Sequence, residues 1–193
     1  VDDGSPDGTA DLAKSVAKKF NGRIFMLERK KKQGLGTAYI AGFKWALQKD
    51  YTYIYEMDCD FSHNPKDLIR LRDACIAGAD LAVGSRNIKG GAVVNWPLRR
   101  RLLSRGASIY VNLVLWLGVS DSTAGFVAYK RNVLDSIDLD SVEFVGYAFQ
   151  IEMKLRAKQK GFKIVEVPII FCGRVLGTSK MNLNIFKEAF LGV

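Results

Sequence analysis

The chain has 193 residues, with 29 Lys+Arg against 20 Asp+Glu and a single His, giving a formal net charge of +9 at pH 7. Hydrophobic residues make up 48% and charged residues 25%, which excludes a disordered tail, a collagen-like repeat and a disulfide miniprotein. The three cysteines, Cys59, Cys75 and Cys172, form no CxxC pair; a zinc site or disulfide framework is therefore not expected, and a reducing compartment is.

In chain order, Val1 reads as the end of a strand whose start is absent, so the chain is expected to lack a first strand and helix. Thr9 to Phe20 carries apolar residues at helical spacing, with Asp7 or Thr9 as N-cap. Arg23 to Glu28 predicts a short strand, and Gly36 to Lys49 a helix entered through glycines. Tyr51 to Met57 is aromatic and β-prone. Pro65 opens a helix that continues from Lys66 to Ile76. Ala79 to Gly84 predicts a strand, Pro97 to Leu117 a long helix, and Gly125 to Tyr129 a strand. Gln150 to Lys160 predicts a helix and Phe162 to Phe171 a final strand. Gly106 to Ser120, the longest uncharged run, is shorter than the ~20 apolar residues of a membrane span. No signal peptide is visible. Alternating strands and helices predict an α/β fold, with a mostly parallel central sheet and helices on both faces.

In such sheets ligands bind beyond the carboxyl ends of the strands, where the polar motifs of this chain fall. Asp58 and Asp60 flank Cys59; alternate residues of an extended segment point the same way. Two such carboxylates can hold Mg²⁺ or Mn²⁺ against a substrate phosphate, though a short D-x-D is as readily a pair of solvated strand-end acids. Asp2 and Asp3 stand in a turn that leads to a helix cap; their carboxylates can also accept hydrogen bonds from a nucleoside. Lys31, Lys32, Gly34 and Gly36 precede a helix start, which suits a diphosphate or a solvated basic loop. Arg86, followed by Arg99, Arg100, Arg101, Ser104 and Arg105, forms the densest basic patch. Arg100 and Ser104 share a helix face, and arginine suits bidentate phosphate binding. The basic run lacks interleaved stacking aromatics, so nucleic acid is not the expected partner.

DDGSPDGT, QGLGTAYIAGF, MDCDFSH, GSR, NWPLRRRLLSRGA, DSTAGFVAY, GYAFQIEM and GRVLGTSKM occur in that order. Together they resemble glycosyltransferase family 2, and within it the dolichyl-phosphate mannosyltransferases, or polyprenol-phosphate mannose synthases. The resemblance implies a Rossmann-like GT-A fold, with residues 1–193 as one catalytic domain. It implies transfer of mannose from GDP-mannose to dolichyl or polyprenyl phosphate with inversion. Asp2 and Asp3 would contact the nucleoside, and Lys32 and Gly34 would lie near the ribose and diphosphate. Asp58 and Asp60 would hold the metal, with Ser62 where some relatives have a further metal contact. Arg86, Arg100 and Ser104 match acceptor-phosphate positions. Arg174, Ser179 and Lys180 match a loop that closes over both substrates, while Gln150 and Glu152 match a motif near the sugar. Val127 stands where relatives usually carry an arginine.

A phosphate acceptor needs no strong general base, which agrees with a structural role for His63. The acceptor's isoprenoid implies work at the cytoplasmic face of a membrane, with membrane-protein subunits as possible partners. The helix from Ala107 to Leu117 reads as core for most of its residues, with a basic end suited to an interface. The rivals are a polyprenyl-phosphate glucosyltransferase or another family member using a UDP-sugar, and a non-catalytic nucleotide-sugar-binding module.

Overall fold

A computed structural model describes residues 1–173. Its helices are α1 (Thr9–Ala17), α2 (Leu35–Leu47), α3 (Asp67–Ile76), α4 (Leu98–Leu115), α5 (Arg131–Ser136) and α6 (Ala148–Gln159). Its strands are β1 (Tyr53–Glu56), β2 (Leu81–Ser85), β3 (Ala92–Val94), β4 (Val127–Lys130), β5 (Ile164–Pro168) and β6 (Ile170–Cys172). The main sheet has the order β1-β4-β2-β5. β5 is parallel to β2, and β4 is antiparallel to both β1 and β2. Three of these strands therefore share one direction and β4 alone is reversed, giving a mixed α/β sheet. Periodicity carries no information about direction, because an alternating pattern reads the same either way.

The sheet is buried on both faces by period-two alternation. Leu81, Val83, Val127, Tyr129 and Ile54 face one core, with Phe43 of α2, Val111 of α4 and Phe149 and Met153 of α6. Ala82, Ala128 and Phe126 face the other, with Leu71 and Cys75 of α3. Small residues opposite α3 let that helix approach closely. α2 meets the loop before α6 through Gly36, where a Cβ would lie 2.6 Å from the Phe144 carbonyl oxygen; only hydrogen fits.

Three expectations are corrected. Arg23 to Glu28 makes only an isolated bridge between Glu28 and Asp2; among the described residues nothing else pairs with it, and a strand needs a ladder of partners. The segment Phe162 to Phe171 divides at Ile169 into β5 and β6, because β6 leaves the main sheet to pair in parallel with β3. That pairing creates a two-stranded ribbon which local propensity did not reveal. Finally, Ala107 to Leu117 is not core for most of its residues: Ser108, Val111 and Leu117 are buried and Tyr110 and Leu115 pack partly against the core, while the rest of α4 is largely open to solvent. Leu98, Leu102, Ile109 and Leu113 are 67%, 61%, 61% and 72% exposed.

Candidate active site

β1 ends at Glu56, and the following turn carries the two aspartates. The Asp58 carboxylate accepts the Tyr39 hydroxyl at 3.2 Å, and its backbone N–H donates to His63 Nδ1 at 3.3 Å. Asp60 accepts the backbone N–H of Ser62 at 3.1 Å and also the Ser62 hydroxyl. Phe61 supplies the left-handed corner of this turn, with φ 62°. Both acids are half-buried. They are the hard oxygen donors that Mg²⁺ or Mn²⁺ takes, and two carboxylates completed by substrate phosphate are a common set for these ions. Among the described residues no group of three or more His, Cys, Asp and Glu could hold a metal.

His63 joins the acids to the arginines. Its ring stacks on Phe126 at 4.8 Å and meets Phe171 edge-on at 5.2 Å. Phe171 in turn lies 5.2 Å from the Arg86 guanidinium. Burial holds the imidazole below its usual pKa; Asp58 and Asp60 pull it up and Arg86 pushes it down. One ring thus feels both the acid pair and the base, and burial favours its neutral form.

Arg86 follows β2 and is fixed by Asp121. Two bonds of 2.6 Å join its Nε and Nη2 to the Asp121 carboxylate, and its backbone N–H adds a third at 2.9 Å. Asp121 is fully buried, and its own N–H donates to Glu166 of β5. Arg100, in the first turn of α4, lies 3.9 Å from the centre of the Trp96 ring, while Arg86 lies 5.4 Å from the same centre. Ser104 is half-buried one turn further along the helix. Arg86 and Arg100 therefore come together around one indole.

The N-terminal turn forms a second cluster. Asp2 is buried and accepts the N–H groups of Gly4 and Ser5 and the Ser5 hydroxyl, which holds its carboxyl below the usual range. Asp3 takes a two-pronged bond from Arg29, at 2.6 and 2.7 Å, and that bond lowers its pKa. Arg29 also donates to Thr37, whose hydroxyl donates to the Gly34 carbonyl. Thr37 and Tyr39 sit two residues apart on α2, so the start of this helix links the Asp3 turn to Asp58. Gly34 has φ 109°, and a Cβ there would lie 2.7 Å from the Val145 carbonyl oxygen. Lys32 is exposed nearby.

Beneath the site lies a polar interior. Lys154 is fully buried and donates to the carbonyl oxygens of Ala124 (2.7 Å) and Gln150 (3.0 Å). Burial pushes the Lys154 pKa down and the Glu56 carboxyl up, each tempered by the other's charge. Tyr129 donates to Glu56 at 3.2 Å. Gln150 is buried within this cluster. Glu152 accepts the N–H groups of Glu143 and Phe144 and pairs with Arg156 at 2.7 Å, which pins the strap behind Gly34 and Gly36. Arg174, Ser179 and Lys180 lie outside the described residues.

The glycosyl transferase family 2 model matches residues 1–138. This chain belongs to glycosyltransferase family 2. It is 51% identical over all 193 residues to the polyprenol monophosphomannose synthase of Mycolicibacterium smegmatis, covering 73% of that protein. It is 47% identical over its whole length to the undecaprenyl-phosphate mannosyltransferase of Micrococcus luteus, covering 79% of it. In structure it resembles glucosyl-3-phosphoglycerate synthase from Mycobacterium tuberculosis, crystallised with Mn²⁺, UDP and glucosyl-3-phosphoglycerate. That likeness has a TM-score of 0.61 at 17% identity and covers 98% of this chain and 63% of the other. The fold is accordingly that of the GT-A glycosyltransferases.

Within this family 2 domain, reading the sequence left Tyr39, Trp96, Asp121, Lys154 and Phe171 without roles. Trp96 and Asp121 stand inside quoted motifs, NWPLRRR and DSTAGFVAY, so position was a usable signal there. Tyr39 likewise stands inside QGLGTAYIAGF, whereas nothing local marks Lys154 or Phe171. Val127 is fully buried in β4 opposite Glu56 and Val83.

Proposed function

We propose that this chain transfers mannose from GDP-mannose to a polyprenyl phosphate, with residues 1–193 acting as one catalytic domain. One observation carries the reading: an acid pair and an arginine pair reach the same edge of the sheet, joined through His63 and Phe171. The names of the two full-length relatives support mannose as the sugar and a polyprenyl phosphate as the acceptor.

Asp58 and Asp60 would hold Mg²⁺ or Mn²⁺ against the donor diphosphate. When bound, such an ion neutralises the charge that develops on the departing GDP. Asp2, Asp3, Lys32 and Gly34 would surround the nucleotide, with the Asp3–Arg29–Thr37 chain setting the height of the Gly34 loop. Arg86, Arg100 and Ser104 would hold the acceptor phosphate. Its second pKa lies near ~6, so at neutral pH it attacks as a dianion and no side chain need remove a proton. A phosphate oxygen forms the new bond to the anomeric carbon as the bond to the GDP oxygen breaks, and the electron pair leaves with GDP. One in-line displacement inverts the centre and gives a β-linked product. Gln150 and Glu152 act from below, Glu152 through the strap it holds. Arg174, Ser179 and Lys180 are assigned to closure over both substrates.

A lipid acceptor places the reaction at a membrane surface, and we assign it to the cytoplasmic face. Leu98, Leu102, Ile109, Leu113 and Trp116 form an exposed apolar stripe along α4, beside exposed Arg99, Arg101 and Arg105. Such a stripe with flanking cations suits insertion among anionic headgroups. No helix among the described residues is long and apolar enough to cross a membrane.

Incubation with labelled GDP-mannose, Mn²⁺ or Mg²⁺ and a polyprenyl phosphate should yield an organic-soluble mannolipid. GDP-glucose, UDP-glucose and UDP-mannose serve as the donor panel. Asp60→Ala should lower turnover by about 10²–10³-fold. A protein that binds GDP-mannose but forms no mannolipid would leave only the binding-module reading.

A further inference from the structure

Trp96 stands in the NWPLRRR segment, and its surroundings differ from those of an ordinary core tryptophan. It is half-buried, between Asn95, which has φ 62°, and Pro97, which caps α4. Phe171 meets its ring edge-on at 5.4 Å. Behind it stands Gly173, where a Cβ would lie 3.1 Å from Trp96 Cδ1 and 3.0 Å from the Asn95 carbonyl oxygen. The Gly173 N–H donates to the Val94 carbonyl at 2.9 Å, and Arg101 donates to the Val93 carbonyl at 2.7 Å. The β3–β6 ribbon and the first turn of α4 thus fix the indole from several sides.

Two guanidinium groups share this indole, Arg100 at 3.9 Å and Arg86 at 5.4 Å from the ring centre. Like charges so close repel. A carboxylate between them would remove the repulsion but also cancel the charge that an anion needs. An aromatic face attracts cations through its quadrupole and leaves their net charge intact. Asp121 already neutralises Arg86 in part, so an acid at position 96 would leave little net charge to attract a phosphate.

We infer that Trp96 is a positioning residue that holds Arg86 and Arg100 together in an orientation set for a dianionic phosphate monoester. This rests on the reading of the two arginines as the acceptor site. Trp96 acts through them and need not touch the phosphate.

The test is steady-state kinetics of the full chain with a short-chain polyprenyl phosphate in detergent and GDP-mannose, each varied in turn. Trp96→Leu should raise the acceptor KM about tenfold, with donor KM and kcat changed by less than about twofold. Trp96→Phe, which retains an aromatic face, should recover most of that loss. A purely structural role would instead lower kcat or shift both KM values together, and would not distinguish Phe from Leu. Equal acceptor KM in Trp96→Leu and the parent, or equal loss in the Phe and Leu variants, overturns the inference. If Trp96→Leu does not fold, Gly173→Ala serves: its Cβ presses on the indole without removing a charge, and an unchanged acceptor KM there overturns the inference as well. Arg100→Ala separates the two levels. An unchanged acceptor KM in that variant rejects the acceptor-site reading itself, whereas a raised KM there with none in Trp96→Leu rejects only the role of Trp96.

Discussion

Asp121 shows how much of the site depends on a single side chain outside the charged motifs. Its carboxylate is fully buried and takes both forks of Arg86. Removing one partner of a buried pair costs about 3–5 kcal/mol, because the other charge is left in a poor solvent. Asp121→Ala should therefore lower stability by about 3 kcal/mol in urea unfolding and raise the acceptor KM. A variant with unchanged midpoint and unchanged KM would show that Arg86 is held in place by other groups. At this scale the sequence was informative about chemistry and silent about partners. Asp58, Asp60, Arg86 and Arg100 were legible because charged residues at strand ends and helix starts are unusual in a pattern otherwise set by burial. Tyr39 and Phe171 were not, since an aromatic in an apolar segment looks the same whether it fills a core or touches a carboxylate or a guanidinium.

At the level of elements, the long helices and central strands followed from periodicity, and the deviations have physical causes. α4 is the clearest. Its composition suggested a core helix, but only Ser108 and Val111 of it are buried, so its apolar residues divide between one narrow inner face and a broad outer one. Composition counts apolar residues and cannot say how many neighbours will cover them. The outer stripe carries a prediction. The chain should sediment with anionic vesicles at low salt, and Leu113→Asp should weaken that association about tenfold or more, since burying a leucine side chain is worth about 1.5–3 kcal/mol. Equal sedimentation of the variant and the parent would exclude the stripe as a contact. The β3–β6 ribbon is a second case: three-residue strands are too short to show a period, and their pairing joins distant parts of the chain.

For the whole molecule, charge governs the response to pH. The carboxyls of Asp2, Asp3 and Asp7 are held below their usual range, by Ser5, by Arg29 and by Thr9 respectively. A group whose folded pKa lies below its unfolded value of ~3.9 stabilises the fold above that value and ceases to do so as pH falls through the folded one. All three lie in the first turn, and the chain already carries +9, so protonation also adds to self-repulsion. The thermal midpoint should hold between about pH 7 and 5 and fall between about pH 4 and 2, with added salt restoring part of the loss through screening. Circular dichroism melts across that range provide the check; a midpoint that does not move below about pH 4 would mean these hydrogen bonds contribute nothing.

Read from the chain alone, periodicity was enough for an α/β fold with an acid pair and a basic patch at strand ends, while the glycosyltransferase reading came from the resemblance of its ordered motifs to family 2. Such features are written in short spacings: two for a strand, three or four for a helix face, and a few fixed motifs. Tertiary structure alone decided which residues hold those groups in place. β4 reverses, β6 leaves the main sheet for β3, and Trp96, Asp121, His63 and Phe171 meet from segments far apart in sequence. A contact between distant residues depends on how whole elements pack, and no window of neighbouring residues carries that information.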